Sequence, residues 1–78
     1  MSRRKLTGLS GRLIVRALQR GGFELLRVSG SHHILARPGV SGARVVVPVH
    51  GSNDLPPGTV RSIIAQSGLT LDEFIALL

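Results

Sequence analysis

Three histidines are the side chains most able to do chemistry here, and two of them are adjacent, in Gly30-Ser31-His32-His33. Imidazole has an unperturbed pKa of about 6.5, so it can take up and return a proton near neutral pH. Metal-free hydrolysis of RNA needs a base for the 2′-hydroxyl and an acid for the departing 5′-oxygen. A turn with glycine also lets a phosphate approach the backbone amides. His32 is therefore the candidate catalytic residue, with Gly30 and Ser31 as phosphate contacts. A surface histidine without a role is the alternative.

The other two histidines have weaker assignments. His33 follows His32 on a predicted strand, so its side chain should point to the opposite face of the sheet. We expect it to be structural or to contact RNA phosphate. His50 lies past the third predicted strand and is either a second proton-transfer group or a hydrogen-bond partner of a loop. Adjacent strand residues diverge, the four carboxylates are scattered and cysteine is absent, so we expect no metal and no cofactor.

The charge of the chain indicates a polyanionic partner. Ten Lys and Arg against four Asp and Glu give a net charge of +6, a footprint typical of nucleic-acid binding. A merely soluble cationic surface is the alternative. Only two residues are aromatic, so contact with the RNA backbone is favoured over base stacking. The candidate phosphate ligands are Lys5, Arg27, Arg37 and Arg44.

The pattern of apolar and turn residues predicts the elements that position these side chains. Ser10 is a candidate N-cap of a helix that ends at Gly21-Gly22. Strands are predicted at 23–29, 32–37 and 44–49, with a hairpin loop at 38–42. Pro57 opens a second helix that Gly68 ends, and a capping box of Thr70 and Glu73 begins a third.

This α-β-β-β-α-α order predicts an α+β fold. We expect a two-layer sandwich in which a three-stranded antiparallel sheet carries all helices on one face. Residues 1–78 should form one domain, with residues 1–9 as a loose basic arm. The faces of the first two strands cannot be assigned, because each contains two adjacent apolar residues.

The chain resembles the HicA toxin family from about Ser10 to Leu78. The resemblance lies in six short motifs in order: the helix from Ser10-Gly11, Gly22-Phe23, Gly30-Ser31-His32-His33, Val47-Pro48-Val49-His50-Gly51, Pro57-Gly58-Thr59 with Arg61-Ser62-Ile63, and Ser67-Gly68-Leu69 with Phe74. It implies a fold like a double-stranded-RNA-binding domain. It also implies ribosome-independent mRNA cleavage by the first histidine after the Gly-Ser turn, here His32. A HicB antitoxin is the implied partner. Leu35 stands where the family usually has an aromatic residue, and Gly8 and Leu9 lengthen the arm.

The sequence thus predicts the endoribonuclease toxin of a toxin–antitoxin pair, independent of metal and held inactive by a HicB-type antitoxin. Cytoplasmic localisation is expected, because cysteines, a signal peptide and a membrane-spanning run of about 18 apolar residues are all missing. A non-catalytic RNA-binding module of the same fold is the main alternative. A helix-turn-helix DNA binder at residues 60–74 is disfavoured, because its second helix carries Asp72 and Glu73 but no basic residue.

Overall fold

A computed structural model describes residues 6–39 and 44–78. It confirms the α+β fold and the element order, with α1 at Gly11–Arg20, β1 at Glu24–Ser29, β2 at His32–Ala36, β3 at Arg44–Pro48, α2 at Pro57–Ser67 and α3 at Leu71–Leu77. The strands form one antiparallel sheet in the order β1-β2-β3. Lys5 and positions 40–42 of the predicted loop lie outside the described residues.

Local sequence signals set the helix ends as predicted. The Ser10 hydroxyl accepts a hydrogen bond from the amide of Leu13 at 3.2 Å, which satisfies a free donor of the first turn of α1. Gly68 ends α2 with φ 75°, a left-handed conformation that costs glycine little. Thr70 and Glu73 form the reciprocal capping box of α3. The Thr70 backbone amide donates a hydrogen bond to the Glu73 carboxylate, and this bond is the largest cause that lowers the pKa of Glu73. The hydrogen bond with the Thr70 side chain lowers it further.

One face of the sheet and the three helices share a single apolar core. Leu35 of β2 and the alternate residues Val45 and Val47 of β3 are fully buried, whereas Val46 between them is 40% exposed. The helices contribute fully or almost fully buried side chains to the same core: Ile14, Ala17, Leu18, Val60, Ile63 and Phe74. Each such aliphatic or aromatic side chain stabilises the fold by about 1.5–3 kcal/mol. The helices therefore cover one face, and none of the described helices lies on the other.

The last two helices pack against the sheet and against α1. The Gln66 side-chain oxygen accepts a hydrogen bond from the Val46 amide at 3.0 Å, so α2 satisfies an edge group of β3. The Arg20 guanidinium donates to the Leu77 carbonyl at 2.8 Å and ties α1 to α3. Phe74 is fully buried, so α3 packs into the core. A core-packing α3 is what the sequence predicts, since it disfavours a DNA-binding helix-turn-helix at residues 60–74.

The expectation of a loose arm up to residue 9 is wrong from Leu6 onwards. Leu9 is fully buried and Leu6 is 9% exposed. The Leu9 carbonyl accepts a hydrogen bond from the Leu55 amide at 2.8 Å, and Ser10 forms a β-bridge with Asp54. This segment is therefore part of the packed structure, because Leu6 and Leu9 supply apolar surface to the core.

Nowhere in the described ranges is there a helix both long and apolar enough to cross a membrane.

Candidate functional site

The two adjacent histidines lie on opposite faces of β2. Leu35 is fully buried against the helices, and side chains two residues apart on a strand share a face. His33 therefore points towards the helical layer, while the exposed His32 points away from it with Ile34. Cross-strand register places further side chains beside these two. We call the resulting surface the open face; it is formed by Glu24, Arg27, Ser29, His32, Ile34, Ala36, Arg44, Val46 and Pro48.

His32 stands at the end of the sheet where the β1–β2 turn lies. It pairs with Ser29 on β1 and with Pro48 on β3. Gly30 has φ 58°, a left-handed conformation that this tight turn requires and that glycine adopts cheaply. The Ser31 carbonyl accepts a hydrogen bond from the Val49 amide at 2.7 Å, which holds the turn against the segment after β3. The imidazole of His32 is thus exposed but rests on a fixed backbone.

Arg27 is the predicted phosphate ligand that the fold brings closest to His32 on the open face. It pairs with Ile34, which is two residues along β2 from His32 and on the same face. Diagonal neighbours of this kind on adjacent strands lie about 7–8 Å apart, a separation that a long arginine side chain can bridge. An irregularity in the register between Leu25 and Arg27 gives β1 this alignment. Such a bulge re-aims the side chains that follow it.

Arg37 and Arg44, the other described candidate ligands, lie at the far end of the sheet. Arg37 follows β2 directly, five residues from His32, which corresponds to about 16 Å of extended chain. Its guanidinium carbon lies 5.0 Å from the centre of the Phe23 ring, a cation–π contact. Arg44 pairs with Ala36. These two arginines cannot hold the phosphate that contacts His32, although a longer RNA could reach them.

His33 lines a half-open cavity of about 330 Å³ between α1 and the sheet, with exposed residues among its walls; we call it the α1 cavity. The described residues around it are Arg12, Val15, Arg16, Gln19, Leu25, His33 and Val49. The His33 Nδ1 atom is buried and has no hydrogen-bond partner within residues 6–39 and 44–78. A buried polar group without a partner costs about 1–3 kcal/mol, so this nitrogen requires an explanation.

Sequence reasoning missed Arg12 and Arg16 as candidate ligands. Their spacing of four residues on a predicted helix placed them on one side of α1, but not over the sheet. Their position depends on how α1 lies against β3. A Cβ on Gly11 would collide with the Pro48 carbonyl oxygen and would lie 3.2 Å from the Val49 Cα. The glycine therefore allows the first turn of α1 to approach the end of β3, beside the cavity.

His50 is exposed and lies just beyond the end of β3. Its backbone carbonyl accepts a hydrogen bond from the Asn53 amide at 3.1 Å, within a turn. Because Pro48 pairs with His32, His50 is near the same end of the sheet. Within residues 6–39 and 44–78, no three His, Cys, Asp or Glu side chains are grouped so that they could hold a metal ion.

Comparison with known proteins gives one family. A family model described as HicA toxin of bacterial toxin–antitoxin systems matches residues 11–69. The matched segment includes α1, all three strands and α2, and with them His32, the Gly30-Ser31 turn and the α1 cavity. Comparison with curated proteins finds no match.

Proposed function

Since the chain belongs to the HicA toxin family of bacterial toxin–antitoxin systems, we propose that it is a toxin that cleaves mRNA, with His32 as the catalytic residue. The observation that carries this proposal is the exposed imidazole of His32 beside the glycine turn, with Arg27 on the same face. An open sheet surface suits a polynucleotide, because a long strand can lie across it without entering a deep pocket.

The reaction that fits these groups is internal transfer at a phosphodiester. The 2′-oxygen of the ribose forms a bond to phosphorus while the bond from phosphorus to the 5′-oxygen breaks. The base removes the 2′-hydroxyl proton and an acid protonates the 5′-oxygen, which leaves a 2′,3′-cyclic phosphate and a 5′-hydroxyl. His32 takes one of these proton transfers, and such general acid–base catalysis typically contributes about 10²–10⁴-fold in rate. His50 and water are candidates for the other.

Arg27 has an electrostatic part in this proposal. The phosphate gains negative charge as the 2′-oxygen attacks, and a guanidinium can donate two parallel hydrogen bonds to its oxygens. A field of positive charge also draws RNA to the open face and makes binding dependent on salt. Replacing Arg27 should therefore weaken binding and slow the reaction without removing the proton-transfer group.

The antitoxin is proposed to be of the HicB type and to cover the open face. Ile34 is half-buried and Val46 is 40% exposed, and they form an apolar row next to Arg27. An apolar centre with a charged side chain beside it is the composition that protein interfaces favour. A partner bound there would block access to His32. This proposal implies that the protein acts in the cytoplasm, because its mRNA substrate and the antitoxin are present there.

The experiment is induced expression of the chain in bacteria without its antitoxin, compared with the His32→Ala variant. Wild type should stop growth and fragment mRNA, and His32→Ala should do neither while still binding the antitoxin. Ser62→Ala is the control, because Ser62 is exposed on α2, in the helical layer and away from the open face. Growth arrest by His32→Ala as strong as that by wild type would refute the assignment.

A second candidate function is a non-catalytic RNA-binding module. Arg44 favours it, because this arginine extends the basic open face far beyond reach of His32. Purified protein incubated with labelled RNA in EDTA separates the two functions. Fragments support the nuclease, whereas salt-dependent retention of intact RNA supports the module.

A further inference from the structure

We infer that the α1 cavity binds one nucleotide of the RNA, adjacent to the phosphodiester at His32, an inference that rests on the proposed function. Its volume of about 330 Å³ lies within the range of small-ligand pockets, about 300–1,000 Å³. Its lining combines apolar side chains with polar and basic ones. This composition distinguishes a nucleotide site from a simple cationic patch.

The arginines of the cavity suit a phosphate group. Arg12 and Arg16 are one helical turn apart, so their Cβ atoms are about 5–6 Å apart and both side chains can reach the same anion. None of the described residues that line the cavity is acidic. The guanidinium groups are therefore free to bind an anion with their planar hydrogen-bond forks.

The rest of the cavity suits a nucleobase. Val15, Leu25 and Val49 offer apolar surface to the flat ring of a base. The amide of Gln19 provides both donors and an acceptor for its polar edge. His33 adds a further polar ring to the lining. Inorganic phosphate or a protein carboxylate would use the arginines and leave these features unused.

The position of the cavity fits a nucleotide next to the cleaved bond. His32 and His33 are consecutive, with Cα atoms about 3.8 Å apart and side chains on opposite faces. The turn at Gly30 beside them is exposed. A single RNA strand can therefore pass around the turn, with one phosphate at His32 and the neighbouring base in the cavity. Sequence-specific RNA recognition commonly uses such unstacked bases.

The test is a titration of the His32→Ala protein with each of the four nucleoside 5′-monophosphates, in which NMR spectra are recorded at each concentration. Ring signals of His33 and methyl signals of Val15 and Val49 should shift on binding. Arg16→Gln in the same background should weaken binding at least five-fold. Arg61→Gln is the matched control, because Arg61 is an exposed arginine on α2 that does not line the cavity, and it should bind like the parent.

Three results would overturn the inference. The first is that no cavity signal shifts with any nucleotide. The second is that inorganic phosphate gives the same shifts at the same concentration, because the base then adds nothing. The third is that Arg16→Gln weakens the complex with the antitoxin but leaves nucleotide binding unchanged, which assigns the cavity to the protein partner.

RNA cleavage by the Arg16→Gln variant, with His32 intact, separates this inference from the proposed function. A nucleotide contact that is equal in ground and transition states should raise KM for RNA with little change in kcat. Unchanged KM together with normal cleavage would overturn the cavity inference and leave the nuclease in place. Nucleotide binding in the cavity of a protein that cleaves no RNA would support the cavity and refute the nuclease.

Discussion

Replacing Gly11 by alanine tests how α1 is positioned over the sheet. The added Cβ would collide with the backbone carbonyl of Pro48, which cannot rotate away as a side chain can. Overpacking of this kind costs about 1–3 kcal/mol, whereas alanine in a helix is favoured over glycine by about 1 kcal/mol. Because the helix must move, we expect the clash to prevail and the free energy of unfolding to fall.

Gly58 supplies the matched control for this substitution. It also lies in the first turn of a helix, but a Cβ there meets nothing within 4 Å. Gly58→Ala should therefore leave the free energy of unfolding unchanged or raise it by up to about 1 kcal/mol. In a domain of this size, 1 kcal/mol shifts Tm by roughly 4–8 °C, so thermal unfolding resolves the two variants. The reasoning is refuted if Gly11→Ala unfolds at the same temperature as Gly58→Ala or above it.

Three further substitutions test the core and the cap of α3. Leu35→Ala should lower the free energy of unfolding by about 2–5 kcal/mol in urea denaturation, because it leaves a cavity in the centre of the sheet; a loss below 1 kcal/mol would contradict this. Thr70→Ala should cost about 1 kcal/mol through the lost cap, and an unchanged urea midpoint would argue against the cap. The lowered pKa of Glu73 means that its ionised form stabilises the fold above its ordinary pKa of about 4.3. The difference in free energy of unfolding between wild type and Glu73→Ala should therefore be largest at pH 7 and shrink as the pH falls through the lower, folded-state pKa. A difference that grows on acidification would contradict this prediction.

Local signals predict the elements and that the two adjacent histidines lie on opposite faces of β2, but not which face each one occupies. The cap at Ser10 and the glycine at position 68 depend on contacts within one helical turn, which the sequence displays directly. The alternation of side chains likewise placed His32 and His33 on opposite faces, as the structure has them. The faces of β1 were not predictable, because the irregularity between Leu25 and Arg27 breaks the two-residue period.

Features that depend on distant contacts were missed. The sequence predicts a loose basic arm that includes Leu9, but the Leu9 carbonyl accepts a hydrogen bond from the amide of Leu55, far along the chain. The α1 cavity was missed for the same reason. Arg12 and Arg16 line this cavity together with sheet residues. Gly11 lets α1 approach Pro48, and no local pattern encodes that approach.

The most direct measurement of the central claim is the single-turnover cleavage rate of one end-labelled RNA in EDTA, by wild type, Ser62→Ala and His32→Ala. Wild type and Ser62→Ala should give the same fragments, ending in 2′,3′-cyclic phosphates, at similar rates. His32→Ala, shown to be folded by its thermal unfolding, should be slower by about 10²-fold or more. Equal rates for wild type and a folded His32→Ala protein would contradict the account.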